Sequence, residues 1–225
     1  MIDVAANWQR VRDAVAAAAE QAGRDPRAVR IVAVSKTKPV ELIEQAVAAG
    51  ATDIGENYVQ EAAAKIPRVH GAVSWHFIGR LQRNKARRAV ELFRLIHTVD
   101  DLRLALLLDR LGMERGGPVH ALIEVNTGGE PTKAGLRPDE VEALLTAVRE
   151  RRGLSIDGLM TVPPPGAPDA TRRFFRTLRQ LRDDLRARLQ LPLAELSMGM
   201  TDDFTIAIEE GATLVRIGRG IFGAR

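Results

Sequence analysis

A chain of 225 residues, 45% hydrophobic and 28% charged, can bury a sizeable core in one large domain or two small ones and has the composition of an ordinary globular protein. With no cysteine and four scattered histidines, disulfides, thiolate metal sites and cysteine nucleophiles are excluded and a histidine metal site is disfavoured, leaving lysine, serine and threonine for covalent chemistry. A net charge of +4 raises the question of nucleic acid, but 29 acidic residues are interspersed among 33 basic ones.

Taken in order, Asn7 is placed to cap a first helix running to about Ala22, with Trp8, Val11, Val15, Ala18 and Ala22 on one stripe and Gly23 as its stop. Ile31-Val32-Ala33-Val34-Ser35-Lys36 then reads as a strand buried on both faces and ending at Lys36. Pro39 opens an amphipathic helix in which Val40, Ile43 and Val47 share a face and Gly50 supplies the stop. Asp53–Asn57 is a short second strand, followed by a helix carrying Val59, Ala62 and Ile66 that stops before Pro67. Ser74–Gly79 is a third, followed by a basic helix after Asn84. Leu95–Asp100 is a fourth, with Asp100 placed to cap a leucine-rich helix ending near Gly112.

The alternation continues with a fifth strand, His120–Asn126. After the glycine-rich segment Thr127–Gly135, Pro138 starts a helix bearing Val141, Leu144, Leu145 and Val148. Leu154–Met160 is the sixth strand, leading through Pro163-Pro164-Pro165-Gly166 into a long helix with Phe174, Leu178, Leu181, Leu185 and Leu189 in register. Leu193–Met198 and Thr213–Gly218 complete the set, separated by a helix that Asp202 or Asp203 caps and Gly211 ends. Strands each followed by a helix or helical turn, with no flexible linker, predict an α/β protein. The expected form is a single (β/α)8 TIM barrel over residues 1–225 with an extra N-terminal helix. No apolar run approaches the ~20 residues of a membrane span, and an acid near the N-terminus is unlike a signal peptide, so a cytoplasmic protein is expected.

In such a barrel, reactive groups gather at the C-terminal strand ends. Lys36 is the first. Burial disfavours a charged amine, and a neutral amine attacks aldehydes to form a Schiff base; the bland alternative is a lysine that snorkels from the strand end. Only five of the 33 basic residues are lysines, Lys36, Lys38, Lys65, Lys85 and Lys133, which favours a use for the amine unless arginine codons are simply preferred. Lys38 follows the same strand, the other strand ends contribute Asn57, His76, Met160, Ser197 and Arg216, and glycines let the loop bearing Lys133 fold over the mouth. His76 on an apolar strand also reads as a core histidine, and Met160 as packing. Ser197-Met198-Gly199-Met200-Thr201 and Gly218-Arg219-Gly220 follow the last two strands, where barrels commonly hold phosphate. An aldehyde-reactive lysine and a phosphate cup together describe pyridoxal phosphate. Arg216, two residues before Gly218, is then placed for the pyridine nitrogen, with a structural ion pair as its alternative.

Ala33–Lys38, Gly55–Glu61, His76–Gly79 with Leu81-Gln82 and Asn84-Lys85, Gly158–Met160, Ser197–Met200, Val215–Gly218 and Ile221–Gly223 together resemble the pyridoxal phosphate homeostasis proteins, the YggS-like or PROSC family, nearly end to end. The resemblance implies a barrel like the N-terminal domain of alanine racemase, with pyridoxal phosphate on Lys36 and Arg216 at the pyridine nitrogen. It places phosphate contacts in Ser197, Met198, Gly199 and Thr201 and in Gly218 and Arg219; in a carrier, Lys38 and Lys133 are candidate secondary amines for transfer. Thr201 stands where serine is frequent in the family, and Arg219 where a small hydroxyl residue is frequent. The resemblance further implies a carrier or regulator of the vitamin B6 pool, transiently meeting apo forms of pyridoxal phosphate enzymes. A second domain after Arg225 to supply a racemase's opposing base is not expected. A racemase or transaminase-like enzyme is the alternative, and a nucleic-acid binder using Arg80–Arg88 is a third. With no strongly apolar face left over, a monomer is expected.

Overall fold

The computed structural model describes residues 2–130 and 132–223; Met1, Ala224 and Arg225 of the expected domain and Pro131 of the expected mouth loop lie outside them. Eight parallel strands close into a barrel in chain order. They are β1 (Arg30–Val34), β2 (Asp53–Glu56), β3 (Ser74–Phe77), β4 (Leu95–Val99), β5 (Val119–Glu124), β6 (Leu154–Met160), β7 (Glu195–Ser197) and β8 (Leu214–Ile217). Closure is direct, since β1 pairs with β2 on one side and β8 on the other.

Helix α1 (Val4–Gln21) precedes β1. The barrel is ringed by α2 (Val40–Ala48), α3 (Val59–Lys65), α4 (Ala86–Leu92), α5 (Leu102–Arg115), α6 (Val141–Val148), α7 (Pro168–Leu189), α8 (Phe204–Glu209) and α9 (Arg219–Phe222). The apolar stripe of α1 packs on α2, α8 and α9, covering the seam where β8 meets β1. The main core lies between strands and helices, because β-branched and leucine side chains on the outer strand faces meet the helix stripes. Inside the barrel a second, smaller apolar cluster consists of Val32, Leu95, Leu122, Met160 and Leu214. The rest of that interior is polar, and this organises the site. Among the described residues no helix is long and apolar enough to cross a membrane.

Several boundaries differ from the sequence expectation for local reasons. Asp3, not Asn7, caps α1 by accepting from the Ala6 amide at 2.9 Å. Asn7 lies within the helix and donates instead to the Ile221 carbonyl at 2.9 Å, tying α1 to α9. In α5 the cap is Asp101, which accepts from the Leu104 amide at 2.6 Å, in place of Asp100. That helix runs through Gly112 to a left-handed cap at Gly116. Gly112 marks a crossing rather than an end: a Cβ there would sit 1.8 Å from the Gly153 carbonyl. Phe175 takes the fully buried position on α7 and Phe174 is half-buried. In the basic stretch, Arg83–Lys85 forms a 3-10 turn before α4. Three of its four arginines pair with carboxylates: Arg80 with Asp100 at 3.8 Å, Arg87 with Glu114 at 2.9 Å and Arg88 with Glu91 at 2.7 Å.

Candidate functional site

A cavity of ≈ 600 Å³ opens at the C-terminal ends of the strands. Its wall is built from Val34, Lys36 and Lys38 after β1, Asn57 after β2, Ile78 after β3 and Val162 after β6. Met200, Thr201 and Asp202 after β7 and Arg216, Gly218 and Arg219 at β8 complete most of it. Barrel topology thus brings together segments far apart in sequence.

The amine wall begins where β1 stops. Strand pairing ends at Val34, so Lys36 lies in a turn two residues later and half-buried, rather than at the strand's last position. Thr37 in that turn is left-handed, with φ of 63°. A buried ammonium holds the turn. Lys65 on α3 gives its three N–H groups to the Ser35 carbonyl at 2.8 Å, Glu56 at 2.7 Å and Glu61 at 2.6 Å. The same Glu61 oxygen accepts from the Thr37 amide at 2.6 Å, and the same Glu56 oxygen from the Ser35 hydroxyl at 2.6 Å. Burial pushes the Glu56 carboxyl above its ordinary value, against the bonds from Lys65 and Ser35. Lys38 reaches across to the Gly223 carbonyl at 3.2 Å.

The guanidinium wall is Arg216 on β8, only 5% exposed. Burial pulls its guanidinium down to about 10 while the charges of Glu124 and Asp203 act in the other direction, so it is a cation at neutral pH. It donates to the Ser197 hydroxyl at 2.6 Å and the Thr161 carbonyl at 2.8 Å. Behind it a polar chain threads the barrel. Ser197 meets Nδ1 of His97 at 2.9 Å, Nε2 of His97 meets Nδ1 of His76 at 2.9 Å, and Nε2 of His76 meets Asp53 at 3.0 Å. At the N-terminal end of the barrel, Arg30 closes the chain with Asp53 at 3.5 Å and Glu195 at 2.6 Å.

Of the residues singled out in the sequence, Lys36, Lys38, Asn57, Thr201, Arg216, Gly218 and Arg219 line this one cavity. Asn57 comes close because Gly79 has no side chain; a Cβ there would lie 2.2 Å from the Asn57 carbonyl. Arg219 is at the rim, with its guanidinium on Asp202. The others stand elsewhere. His76 and Ser197 are buried members of the chain behind Arg216, Met160 packs in the inner apolar cluster and Met198 in the outer one. Gly199, with φ of 91°, lets its loop press on α8, where a Cβ would meet that of Ala207 at 2.5 Å. Lys133 lies outside the described lining, its amine 4.0 Å from Glu130. His97, Asp53, Glu56, Glu61 and Lys65 escaped the sequence reading. The available signals were the scarcity of lysine and the pair of histidines on two successive strands.

The lining suits a small phosphorylated aldehyde. Its volume falls within the ~300–1,000 Å³ of small-ligand pockets. An amine and a fixed cation occupy separate walls, and Thr201 and Arg219 beside Gly218 offer donors to an anion. Asn57 adds a buried Oδ1 with no hydrogen-bond partner among the described residues, an unmet acceptor of the kind a ligand satisfies.

Residues 3–225 match the family model described as alanine racemase, N-terminal domain. The pyridoxal phosphate homeostasis protein of Pseudomonas aeruginosa is 43% identical over 100% of this chain and 97% of that protein. The protein of the same name from Escherichia coli K12 is 41% identical over 100% of this chain and 98% of its own length. Among solved structures, PipY of Synechococcus elongatus with pyridoxal phosphate bound superimposes with a TM-score of 0.83 and 38% identity, covering 93% of this chain and 100% of that one.

Proposed function

The chain belongs to the alanine racemase N-terminal domain family and, within it, to the pyridoxal phosphate homeostasis proteins. From that premise we propose that it holds pyridoxal 5'-phosphate as a Schiff base on Lys36 and delivers or buffers it without turnover. It is a pyridoxal phosphate-binding protein of vitamin B6 homeostasis. The observation that carries the assignment of residues is the single cavity in which Lys36, Arg216, Thr201 and Gly218 meet.

When bound, the cofactor supplies an aldehyde that condenses with a primary amine and releases water. The protein's own residues do the rest. The turn held by Lys65 presents the Lys36 amine, and Arg216 would donate to the ring nitrogen, leaving it unprotonated because a guanidinium does not give up its proton. Thr201, the Gly218 backbone and Arg219 would hold the phosphate, with Asn57 on the same cavity wall. Ser197 and His76 act behind Arg216 rather than on the ligand. Lys38, on the same wall, and Lys133, in the neighbouring loop, would serve as secondary amines for transfer.

A carrier rather than a racemase is supported by the lining. Racemisation needs a base on each face of the substrate carbon, whereas the two lysines here come from one segment, Lys36 and Lys38. The single tyrosine, Tyr58, is exposed and lines a neighbouring groove. The protein is read as one unit, a cytoplasmic monomer that meets recipient apoenzymes transiently. The test is the near-visible absorption of the purified protein with pyridoxal phosphate, borohydride reduction and peptide mapping, beside Lys36→Ala. A band that reduces onto Lys36 and vanishes in the variant is expected; no band in the wild type overturns the assignment. Added amino acid that exchanges its α-proton with solvent on the loaded protein would make it an enzyme instead.

A further inference from the structure

Arg216 is a buried cation whose hydrogen-bond partners, a hydroxyl and a carbonyl, are both neutral. The carboxylate that completes its chain is Asp53, beyond Ser197, His97 and His76, at the end of the barrel opposite the cavity. The members are 0–1% exposed in the middle of the chain and 5–6% exposed at its ends. Burial of that degree keeps bulk solvent from the middle of the chain.

The two ends dictate where every hydrogen sits. A guanidinium only donates and a carboxylate only accepts. Ser197 Oγ accepts from Arg216 Nη1, so its own hydrogen goes to its remaining neighbour, Nδ1 of His97. His97 therefore carries its hydrogen on Nε2 and gives it to Nδ1 of His76; His76 carries its hydrogen on Nε2 and gives it to Asp53. All the bonds then point from Arg216 to Asp53, with one hydrogen on each imidazole. Burial above all, with the nearby charges of Arg216 and Arg30 adding to it, holds His97 well below the ordinary imidazole value. Asp53 meets the opposite situation: burial works against its charge, yet bonds from His76 and Thr52 and the charge of Arg30 keep its carboxyl below the usual range. One arrangement of hydrogens satisfies every member. Partial satisfaction would leave a buried donor unpaired.

We propose that Asp53 is a positioning residue for Arg216, acting through His76, His97 and Ser197 to fix the guanidinium and leave its remaining N–H groups for the ring nitrogen of the cofactor. The inference rests on the function proposed above, in which Arg216 meets that nitrogen. Without the Asp53 carboxylate, His76 is free to reverse its tautomer and His97 follows. Nδ1–H of His97 then points at Ser197 Oγ, which already accepts from Arg216, and the serine hydrogen loses its acceptor. Arg216 shares a crowded oxygen and shifts.

The first measurement needs neither variant nor cofactor. In protein labelled with ¹⁵N at its four histidines, His76 and His97 are expected as neutral Nε2–H tautomers at pH 7.5. An Nδ1–H tautomer at either, or a protonated His97, overturns the relay. With pyridoxal phosphate, Asp53→Asn is expected to bind about ten-fold more weakly, the worth of roughly one hydrogen bond, with a displaced absorption band and with Asp53→Glu restoring both. Wild-type affinity and band in Asp53→Asn overturn the proposal. A wild-type protein that forms no band overturns the functional reading instead, and the tautomers then decide the relay alone.

Discussion

The two walls of the cavity solve opposite problems. At the amine wall, buried charges touch: the Lys65 ammonium meets two carboxylates and a carbonyl, and what those groups hold is backbone, the Ser35 carbonyl and the Thr37 amide on either side of Lys36. At the guanidinium wall, charges stand apart, and neutral groups between Arg216 and Asp53 hold a side chain. The difference follows from use. A reacting lysine needs its backbone placed, so its turn is fixed; an arginine that only sets a ring's electronics gains from an immobile side chain.

The comparison predicts that the amine wall is where stability is concentrated. Lys65→Met leaves Glu56, fully buried, facing Glu61 without the ammonium between them, and removing one member of a buried ionic cluster costs about 3–5 kcal/mol. Urea unfolding at pH 7.5 should show this loss, and adding Glu56→Gln should recover a good part of it. A cost below about 1 kcal/mol, the worth of an exposed pair, would erase the distinction between the walls.

The guanidinium wall should show itself in pH dependence. Glu124 at the end of β5 is pushed up to about 7, first by burial and then by Asp100, with Arg216 and Arg80 pulling the other way. Its folded value is raised, so the sign is set. Below the ordinary carboxyl range both folded and unfolded forms are protonated and nothing is lost. As pH climbs from there to 7, only the unfolded chain ionises, and stability falls until the folded carboxyl ionises too. Glu124→Gln should therefore match the wild type near pH 4 and exceed it at pH 8 by up to about 3 kcal/mol. Unfolding curves at the two pH values test this; equal differences at both would mean the carboxyl titrates normally despite its burial.

Which of these features could be read in the sequence depends on how local they are. Strand and helix order, the strand-end lysine, Arg216 before Gly218 and the hydroxyl of Thr201 all follow from period, turn residues and position along one strand. Caps were less legible. Asn7 and Asp3 are both good capping types, and the choice was made by the Ile221 carbonyl, a partner 214 residues away. The supporting groups depend on such distant partners entirely: His97 and Ser197 are 100 residues apart, Lys65 and Ser35 are 30 apart, and only barrel closure makes them neighbours. Composition does hint at Lys65, one of five lysines among 33 basic residues, yet nothing in its surroundings says which carboxylates it would meet.

The smallest expected effect probes how taut the amine wall is. Thr37 sits at φ of 63°, a conformation that costs a residue with a Cβ about 1–2 kcal/mol. Its side chain is exposed, and its bond to Glu61 uses the backbone N–H, which any residue except proline retains. Thr37→Gly should relieve that cost while gaining backbone entropy in the unfolded chain, for a net stabilisation of about 0.5–1 kcal/mol. The same glycine loosens the turn that carries Lys36, so loading with pyridoxal phosphate, followed by absorption, should weaken as stability rises. Opposite movement of the two readouts means the strain serves to present the amine. If stability rises with loading unchanged, the hold of Lys65 and Glu61 suffices alone, and the left-handed threonine is a cost the clamp merely tolerates.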